Sequence, residues 1–137
     1  MSEMNGTGIS SSLPTVILVE RDTLARDVLS TALQRLNVEV IAVADGEDAY
    51  TRCFQHPPRL LITDIWLPGL NGLDLIRRLK EERVLHPSQV IIISALSFPE
   101  VVAEAAALGV QDFLIKPVDT DQFLERVRRR LGEDSTP

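Results

Sequence analysis

Residues 59–80 have the sequence RLLITDIWLPGLNGLDLIRRLK, and the order of patterns inside this stretch decides the fold. It opens with a short apolar run, 60–62, which is typical of a buried strand. The run ends at Asp64, and the Pro-Gly and Asn-Gly pairs that follow favour turns, since Gly and Asn tolerate positive φ. Leu73, Ile76 and Leu79 then recur at helical spacing. An acid therefore stands at the carboxyl end of a strand, which is the edge where ligands bind in open α/β sheets.

The same alternation of strand and helix patterns runs through the rest of the chain. Five apolar runs alternate with five amphipathic helical patterns, and the runs are continuous rather than alternating in polarity. Such runs indicate a parallel sheet that is covered on both faces. The predicted fold class is α/β, a doubly wound five-stranded parallel sheet of the flavodoxin-like type. The predicted strands are 16–19, 39–43, 60–62, 90–93 and 110–115.

The first and last helices carry specific expectations. Asp22 or Thr23 is expected to cap the first helix, and Asp119 or Thr120 the last. The arginines at 126 and 128–130 are expected to form a solvated helix end that the helix dipole favours. Residues at intervals of four are expected to mark the buried face of the first helix: Leu24, Val28, Ala32 and Leu36.

Length and composition predict one compact domain, because the chain has 137 residues of which 45% are hydrophobic. We expect a disordered lead-in over 1–14, the domain over 15–132 and a tail over 133–137. Cys53 is the sole cysteine, which excludes an internal disulfide framework. The net charge of −6 argues against nucleic acid as a direct partner. The absence of a long apolar run argues against a membrane segment and favours a cytoplasmic protein.

Polar residues stand at the ends of four of the predicted strands. Glu20 and Arg21 leave the first strand, Asp64 the third, Ser94 the fourth and Lys116 the fifth. Because the carboxyl ends of parallel strands lie on one edge of a sheet, these side chains are expected to converge. Two acids, a hydroxyl and an amine that are scattered over almost a hundred positions are thus expected at one edge of the sheet.

The motifs at these strand ends resemble those of the receiver domain of two-component response regulators, the CheY-like fold. The separations of 30 residues from Asp64 to Ser94 and 22 from Ser94 to Lys116 fit that family. The match extends from Thr15 to about residue 131. Its four motifs, in order, are VILVE at 16–20, LITDIWLPGLNG at 61–72, IIISA at 91–95 and FLIKP at 113–117.

The resemblance implies a phosphoacceptor site. Asp64 would take a phosphoryl group from a phosphohistidine, since a carboxylate can act as a nucleophile and form an acyl phosphate. Lys116 would neutralise charge on the phosphoryl oxygens. Ser94 would bind one of those oxygens and move inward, and Phe113 matches the aromatic position that turns inward with it. The protein would be a signalling switch and not an enzyme.

The resemblance also implies a Mg²⁺ ion, held by Glu20, Asp64 and the backbone carbonyl of Trp66. The side chain of Trp66 stands where the family adjusts the access of water to the phosphoryl group. Arg21 departs from the pattern, because the family has there a second acid that ligates the metal directly. The charges of Glu20, Arg21, Asp64 and Lys116 sum to zero, and an arginine readily forms a forked pair with a carboxylate such as Asp64.

Two functions follow from these residues. One is phosphorylation at Asp64 by a histidine kinase or phosphotransfer protein, which changes the affinity of a surface for a downstream protein target or effector domain. The alternative is a pseudo-receiver, a protein-interaction module that works without phosphorylation because Arg21 replaces the metal ligand. A homodimer through the fourth helix, fifth strand and fifth helix stays open. A small flavin carrier is disfavoured, because no glycine loop that could hold a phosphate follows the first strand.

Overall fold

The computed structural model describes residues 13–132, which form one five-stranded parallel sheet with the strand order β2-β1-β3-β4-β5. This confirms the predicted doubly wound fold. The expected tail and almost all of the expected lead-in lie outside the described residues. The strands are β1 Thr15–Val19, β2 Glu39–Val43, β3 Leu60–Thr63, β4 Val90–Ser94 and β5 Asp112–Ile115.

Five α-helices connect and follow the strands, and polar side chains cap four of them. Asp22 caps the first helix by accepting from the backbone N–H of Ala25 at 2.8 Å, and Asp119 caps the last. A short 3₁₀ turn at Pro87–Gln89, capped by His86, is an element that the sequence patterns did not predict. The helices are α1 Thr23–Leu33, α2 Gly46–Gln55, α3 Gly72–Glu81, α4 Pro99–Leu108 and α5 Thr120–Leu131.

The sheet separates two hydrophobic cores, one on each face. Alternate residues of a strand point to opposite faces, so Ile17 and Val19 of β1 lie in one core and Val16 and Leu18 in the other. Helices α2, α3 and α4 cover the first face, and α1 and α5 cover the second. Within residues 13–132, no helix is both long enough and apolar enough to cross a lipid bilayer.

The buried face of α1 differs from the prediction. Leu29, Ala32 and Leu33 are buried, whereas Leu24 is 73% exposed and Val28 is 50% exposed. An interval of four residues overshoots one helical turn by about 40°, so a strict series of such steps winds away from the core. The expectation for Leu24 and Val28 was therefore wrong, and the N-terminal half of α1 presents apolar side chains to solvent.

The arginines of α5 also differ from the prediction, because two of them bind a buried acid. Asp112, at the start of β5, is only 5% exposed. Arg126 donates a hydrogen bond to it at 2.9 Å, and the Nε atom of Arg130 lies 2.6 Å from its second oxygen in an ionic contact without hydrogen-bond geometry. Arg126 and Arg130 are thus not a solvated helix end: they neutralise a buried carboxylate and fix α5 to the sheet.

The glycines after β3 serve two different purposes. Gly69 has a φ of +71°, as the predicted turn requires. Gly72 is needed for space instead, because a Cβ atom there would lie 2.1 Å from the carbonyl oxygen of Asp64. The first residue of α3 is thereby packed directly against the backbone of the acid at the strand end.

Replacing Gly72 by alanine should destabilise the fold. Since the clash is with backbone, either β3 or α3 must move, and we expect a loss of about 2 kcal/mol in the free energy of unfolding. Urea unfolding followed by circular dichroism measures it. Thr23→Ala, at the exposed first residue of α1, is the control and should change the free energy by less than about 0.5 kcal/mol. Equal midpoints for the two variants would contradict the close packing at Gly72.

Candidate functional site

Three of the predicted site residues stand one position beyond a strand, and each is held there by a backbone hydrogen bond to the neighbouring strand. These bonds extend the parallel ladders by one residue and fix where each side chain leaves the sheet. The N–H of Glu20 donates to Val43 at 3.0 Å, that of Asp64 to Val19 at 3.1 Å and that of Lys116 to Ser94 at 3.0 Å.

The register of β1 and β3 places Glu20 beside Asp64. Val19 is paired with Thr63, so the next residue of each strand lies next to the other. Two contacts that no motif indicates support this arrangement. Arg26 of α1 donates to the carbonyl of Glu20 at 2.8 Å, and the hydroxyl of Thr63 donates to the carbonyl of Asp64 at 2.8 Å. Both contacts join residues that are close in the sequence, and they hold the backbone of each acid where its strand ends.

Lys116 is shared between the two acids. Its Nζ atom lies 2.7 Å from Oε1 of Glu20 and 2.7 Å from Oδ2 of Asp64. Glu20 is 2% exposed and Asp64 is 7% exposed, so both carboxylates are shielded from water. Partial burial of the ammonium lowers the pKa of Lys116, but the hydrogen bonds and charges of Asp64 and Glu20 outweigh it, and the net pKa is raised.

The remaining carboxylate oxygens also have donors. Oε2 of Glu20 accepts from the backbone N–H of Asp22 at 2.9 Å. Oδ1 of Asp64 accepts from Ile65 at 2.6 Å and, more weakly, from Trp66 at 3.4 Å. All four oxygens are therefore engaged by groups of the protein, which holds both acids in fixed orientations.

A cavity of about 300 Å³ opens above Asp64 and brings most of the predicted residues together. Ser94 is 1% exposed, and its Oγ accepts from the backbone N–H of Leu96 at 2.9 Å. Phe113 stands outside this lining: it lies half-buried in β5 against the core that α2, α3 and α4 cover. The lining consists of Glu20, Arg21, Asp22, Asp64, Trp66, Ser94, Ala95, Leu96 and Lys116.

Arg21 lines this cavity without pairing with Asp64. Its side chain is exposed, and within residues 13–132 it forms neither a hydrogen bond nor an ion pair. The forked pair between Arg21 and Asp64 that the sequence suggested is not formed, because Lys116 already occupies the free side of that carboxylate. The guanidinium of Arg21 therefore has no hydrogen-bond or ion-pair partner among residues 13–132, although it lines the cavity.

The donor set does not fit a divalent cation of the expected kind. Mg²⁺ requires near-octahedral oxygen ligands. Here Glu20 and Asp64 share one ammonium, and the position beside Glu20 supplies a guanidinium in place of a third acid. In the described part of the chain, no group of three or more histidine, cysteine, aspartate or glutamate side chains is arranged to hold a metal.

Comparison with known proteins identifies the family of the chain. The sequence pattern of the family described as "Response regulator receiver domain" matches residues 16–128. The chain belongs to the response regulator receiver family. Its members are signalling modules of two-component systems, and the fold described above is that of a receiver domain.

Individual relatives support the same assignment. This receiver domain is 32% identical over 119 residues to the transcriptional regulatory protein CrdR of Helicobacter pylori, covering 87% of this chain and 55% of the relative. It is 29% identical to the phosphate regulon transcriptional regulatory protein PhoB of Rhizobium meliloti, covering 87% of this chain and 52% of the relative. The chain thus spans about half the length of these relatives.

Solved structures show the same fold. The signal receiver domain of the putative Luxo repressor protein from Vibrio parahaemolyticus has a TM-score of 0.82 and 26% identity, covering 90% of this chain and 93% of that one. The chemotaxis response regulator CheY4 of Vibrio cholerae has a TM-score of 0.77 and 22% identity, covering 86% of this chain and 98% of that one. The second likeness shows the fold alone and places the chain among flavodoxin-like α/β sheets.

The shared lysine should be visible in alkaline titration. The chain has two lysines, Lys80 and Lys116, so isotopically labelled lysine gives two Cε signals that Lys80→Arg assigns. We expect Lys116 to titrate above 10.5, the ordinary value. Because the folded-state pKa of Lys116 is raised, its stabilising contribution is complete below about pH 10.5, the unfolded value, and is lost as the pH rises through the folded value.

Removal of the lysine provides the matching stability measurement. Lys116→Met leaves two buried carboxylates without their cation and should cost about 3 kcal/mol of unfolding free energy at neutral pH. The difference from the wild type should shrink as the pH rises past the titration of Lys116. A Cε signal that titrates below 10.5, or a stability difference independent of pH, would contradict the bridging role.

Proposed function

We propose that Asp64 of this receiver accepts a phosphoryl group from a histidine of a partner kinase or phosphotransfer protein. One observation carries the proposal: a carboxylate at a strand end faces a cavity together with Lys116 and Ser94, and the lysine contacts it directly. This arrangement provides a nucleophile, a cation and a hydroxyl around one small space. The family membership of the chain agrees with it.

The residues of the chain account for the transfer step. A carboxylate oxygen of Asp64 attacks the phosphorus, forming a P–O bond, and the bond to the donor nitrogen breaks with its electron pair retained by the imidazole. Lys116 then neutralises negative charge on the phosphoryl oxygens. Ser94, whose Oγ already accepts from Leu96, donates its own O–H to one of them. Trp66 is 64% exposed at the cavity wall and limits the approach of water.

The output is assigned to the surface formed by α4, β5 and α5. Phe113 lies in β5, and Lys116 follows this strand, so a shift of Ser94 toward the phosphoryl group changes the packing at its end. This surface presents Phe98, Val102 and Ile115, which are 60%, 36% and 54% exposed. We propose that a downstream protein target or effector domain binds there. A homodimer through the same elements stays the second prediction for this surface.

Direct phosphorylation tests the acceptor. Wild-type protein incubated with acetyl phosphate, in buffers with and without Mg²⁺, should gain one phosphoryl group by intact mass, and Asp64→Asn should gain none. Asp121→Asn, an exposed acid in the first turn of α5, is the control and should label like the wild type. Labelling of Asp64→Asn would place the acceptor elsewhere.

Labelling by acetyl phosphate also tests the alternative function, that of a pseudo-receiver. A pseudo-receiver that binds partners without phosphorylation would gain no phosphoryl group under any of these conditions. The observation that favours this alternative is the mismatch between the donor set and a divalent cation. The observation against it is the complete set of Asp64, Ser94 and Lys116 around one cavity.

The route of the phosphodonor is proposed from a second cavity. An apolar groove of about 490 Å³ runs between α1 and the segment after β5, and Lys116 lines both this groove and the cavity above Asp64. Leu24 and Val28, the exposed apolar residues of α1, form one wall. A protein that carries its histidine to Asp64 passes over Lys116 and therefore covers this groove, so we assign the groove to the phosphodonor protein.

Polar substitution in the groove should separate protein donors from small donors. Leu24→Ser combined with Val28→Ser removes apolar contact area, and we expect transfer from an autophosphorylated histidine kinase, chosen from a panel by its rate on the wild type, to slow by about tenfold. Labelling by acetyl phosphate should be unchanged. Phe54→Ser, at an apolar residue of α2 that is 49% exposed, is the control. Equal kinase rates for all three proteins would reject the groove as the docking site.

A further inference from the structure

Two cationic residues of the described part of the chain line the cavity, and the proposed transfer gives a role to Lys116 but none to Arg21. It lines the cavity together with Asp64 and Lys116, and its guanidinium forms no hydrogen bond or ion pair within residues 13–132. Exposed arginines outside the site are ordinary, but this one stands beside two buried carboxylates in the space that a phosphoryl group would enter. Its five N–H donors are free to bind there.

The charges of the residues that line the cavity indicate that a cation at position 21 would offset the negative charge of a phosphoryl group on Asp64. At rest, Glu20, Asp22 and Asp64 carry three negative charges, and Lys116 and Arg21 carry two positive charges, so the lining has an excess of one negative charge. Conversion of Asp64 to an acyl phosphate adds one further negative charge. With Arg21 the modified cavity has an excess of two negative charges, whereas without Arg21 the excess is three, and the single ammonium of Lys116 is already shared.

A guanidinium is chemically suited to neutralising the charge of a phosphoryl group. It binds phosphate oxygens through parallel N–H donors and keeps its charge at any ordinary pH. If position 21 were an acid that bound a divalent cation, the acid and the ion together would carry a net charge of +1. An arginine at position 21 carries the same charge of +1 without a bound ion. The donor set of the cavity, which does not fit a divalent cation, agrees with this exchange.

We propose that Arg21 and Lys116 together form a metal-independent phosphoryl-binding site, so that Asp64 is phosphorylated without a divalent cation. This rests on the proposed function of Asp64. With acetyl phosphate, an oxygen of the Asp64 carboxylate forms a bond to phosphorus, and the bond from phosphorus to the acetate oxygen breaks with its electron pair leaving on acetate. Charge is conserved without a proton, and Arg21 binds the phosphoryl oxygens that face the cavity mouth.

The test compares labelling by acetyl phosphate in EDTA and in Mg²⁺, read by intact mass. The wild-type rate in EDTA should be less than about tenfold below the rate in Mg²⁺. Arg21→Ala should label about 100-fold more slowly than the wild type in EDTA. Arg35→Ala, at an exposed arginine following α1, is the matched control and should equal the wild type. Circular dichroism verifies the fold of each variant.

Trp66 provides a second readout that does not depend on turnover. It is the single tryptophan of the chain and lines the cavity, so its fluorescence reports on binding there. Beryllofluoride, a phosphoryl analogue, should change this signal in EDTA for the wild type and not for Arg21→Ala. Arg21→Asp supplies a third acid, and it should show a saturable response to Mg²⁺ that the wild type lacks, with labelling that requires Mg²⁺.

The outcomes distinguish the two proposals. Labelling of the wild type that requires Mg²⁺ would overturn the metal-independent site and leave Asp64 as the acceptor. Equal labelling of Arg21→Ala and the wild type in EDTA would remove Arg21 from the site. A wild type that labels in neither buffer would overturn the acceptor function itself, and the inference with it.

Discussion

The ammonium of Lys116 lies between two buried carboxylates, and the arrangement of the sheet edge depends on this contact. Glu20 and Asp64 are almost wholly removed from water, and a buried charge without a partner costs several kcal/mol. The lysine is able to serve both because its own backbone is joined to Ser94 across the β4–β5 ladder. The two acids are neighbours because β1 and β3 are paired in register. Parallel pairing therefore brings together groups that are 96 positions apart in the chain.

The two buried acidic regions in residues 13–132 show how environment separates a structural carboxylate from the proposed phosphoacceptor. Asp112 is enclosed by Arg126 and Arg130, and these contacts fix a helix to the sheet. Asp64 is equally buried but faces a cavity, and it shares its lysine with a second acid. Closing a carboxylate between two arginines removes its access to a substrate, whereas one shared cation leaves a face from which phosphorus can be approached. The surroundings, more than the residue type, determine which acid can act as a nucleophile.

The sequence was sufficient for the sheet and the identity of the acids, because both follow from short-range patterns. Continuous apolar runs predicted the strands. The polar residues that follow those runs, Glu20, Asp64 and Lys116, were predicted to lie at one edge of the sheet. The sequence was insufficient where contacts depend on tertiary placement. Leu24 belongs to the apolar series at intervals of four that predicted a buried face, but it lies on the exposed side of α1. The partners of Asp112 lie on a later helix. The absence of a pair between Arg21 and Asp64 follows from the contact that Lys116 makes with that carboxylate.

The independence of Arg21 from the fold explains why the chemistry of the site can differ while the architecture is that of the family. Glu20 is held by Lys116, by the backbone of Asp22 and, through its carbonyl, by Arg26, so none of its restraints involves the adjacent side chain. Arg21 lies in the turn between β1 and α1, and its side chain extends along an exposed cavity wall. Within residues 13–132 its side chain forms no hydrogen bond or ion pair, so a change of charge there breaks no such contact of the core, the strands or Lys116. It acts instead on the electrostatic balance of the cavity, and that balance decides which counter-charge a phosphoryl group on Asp64 requires.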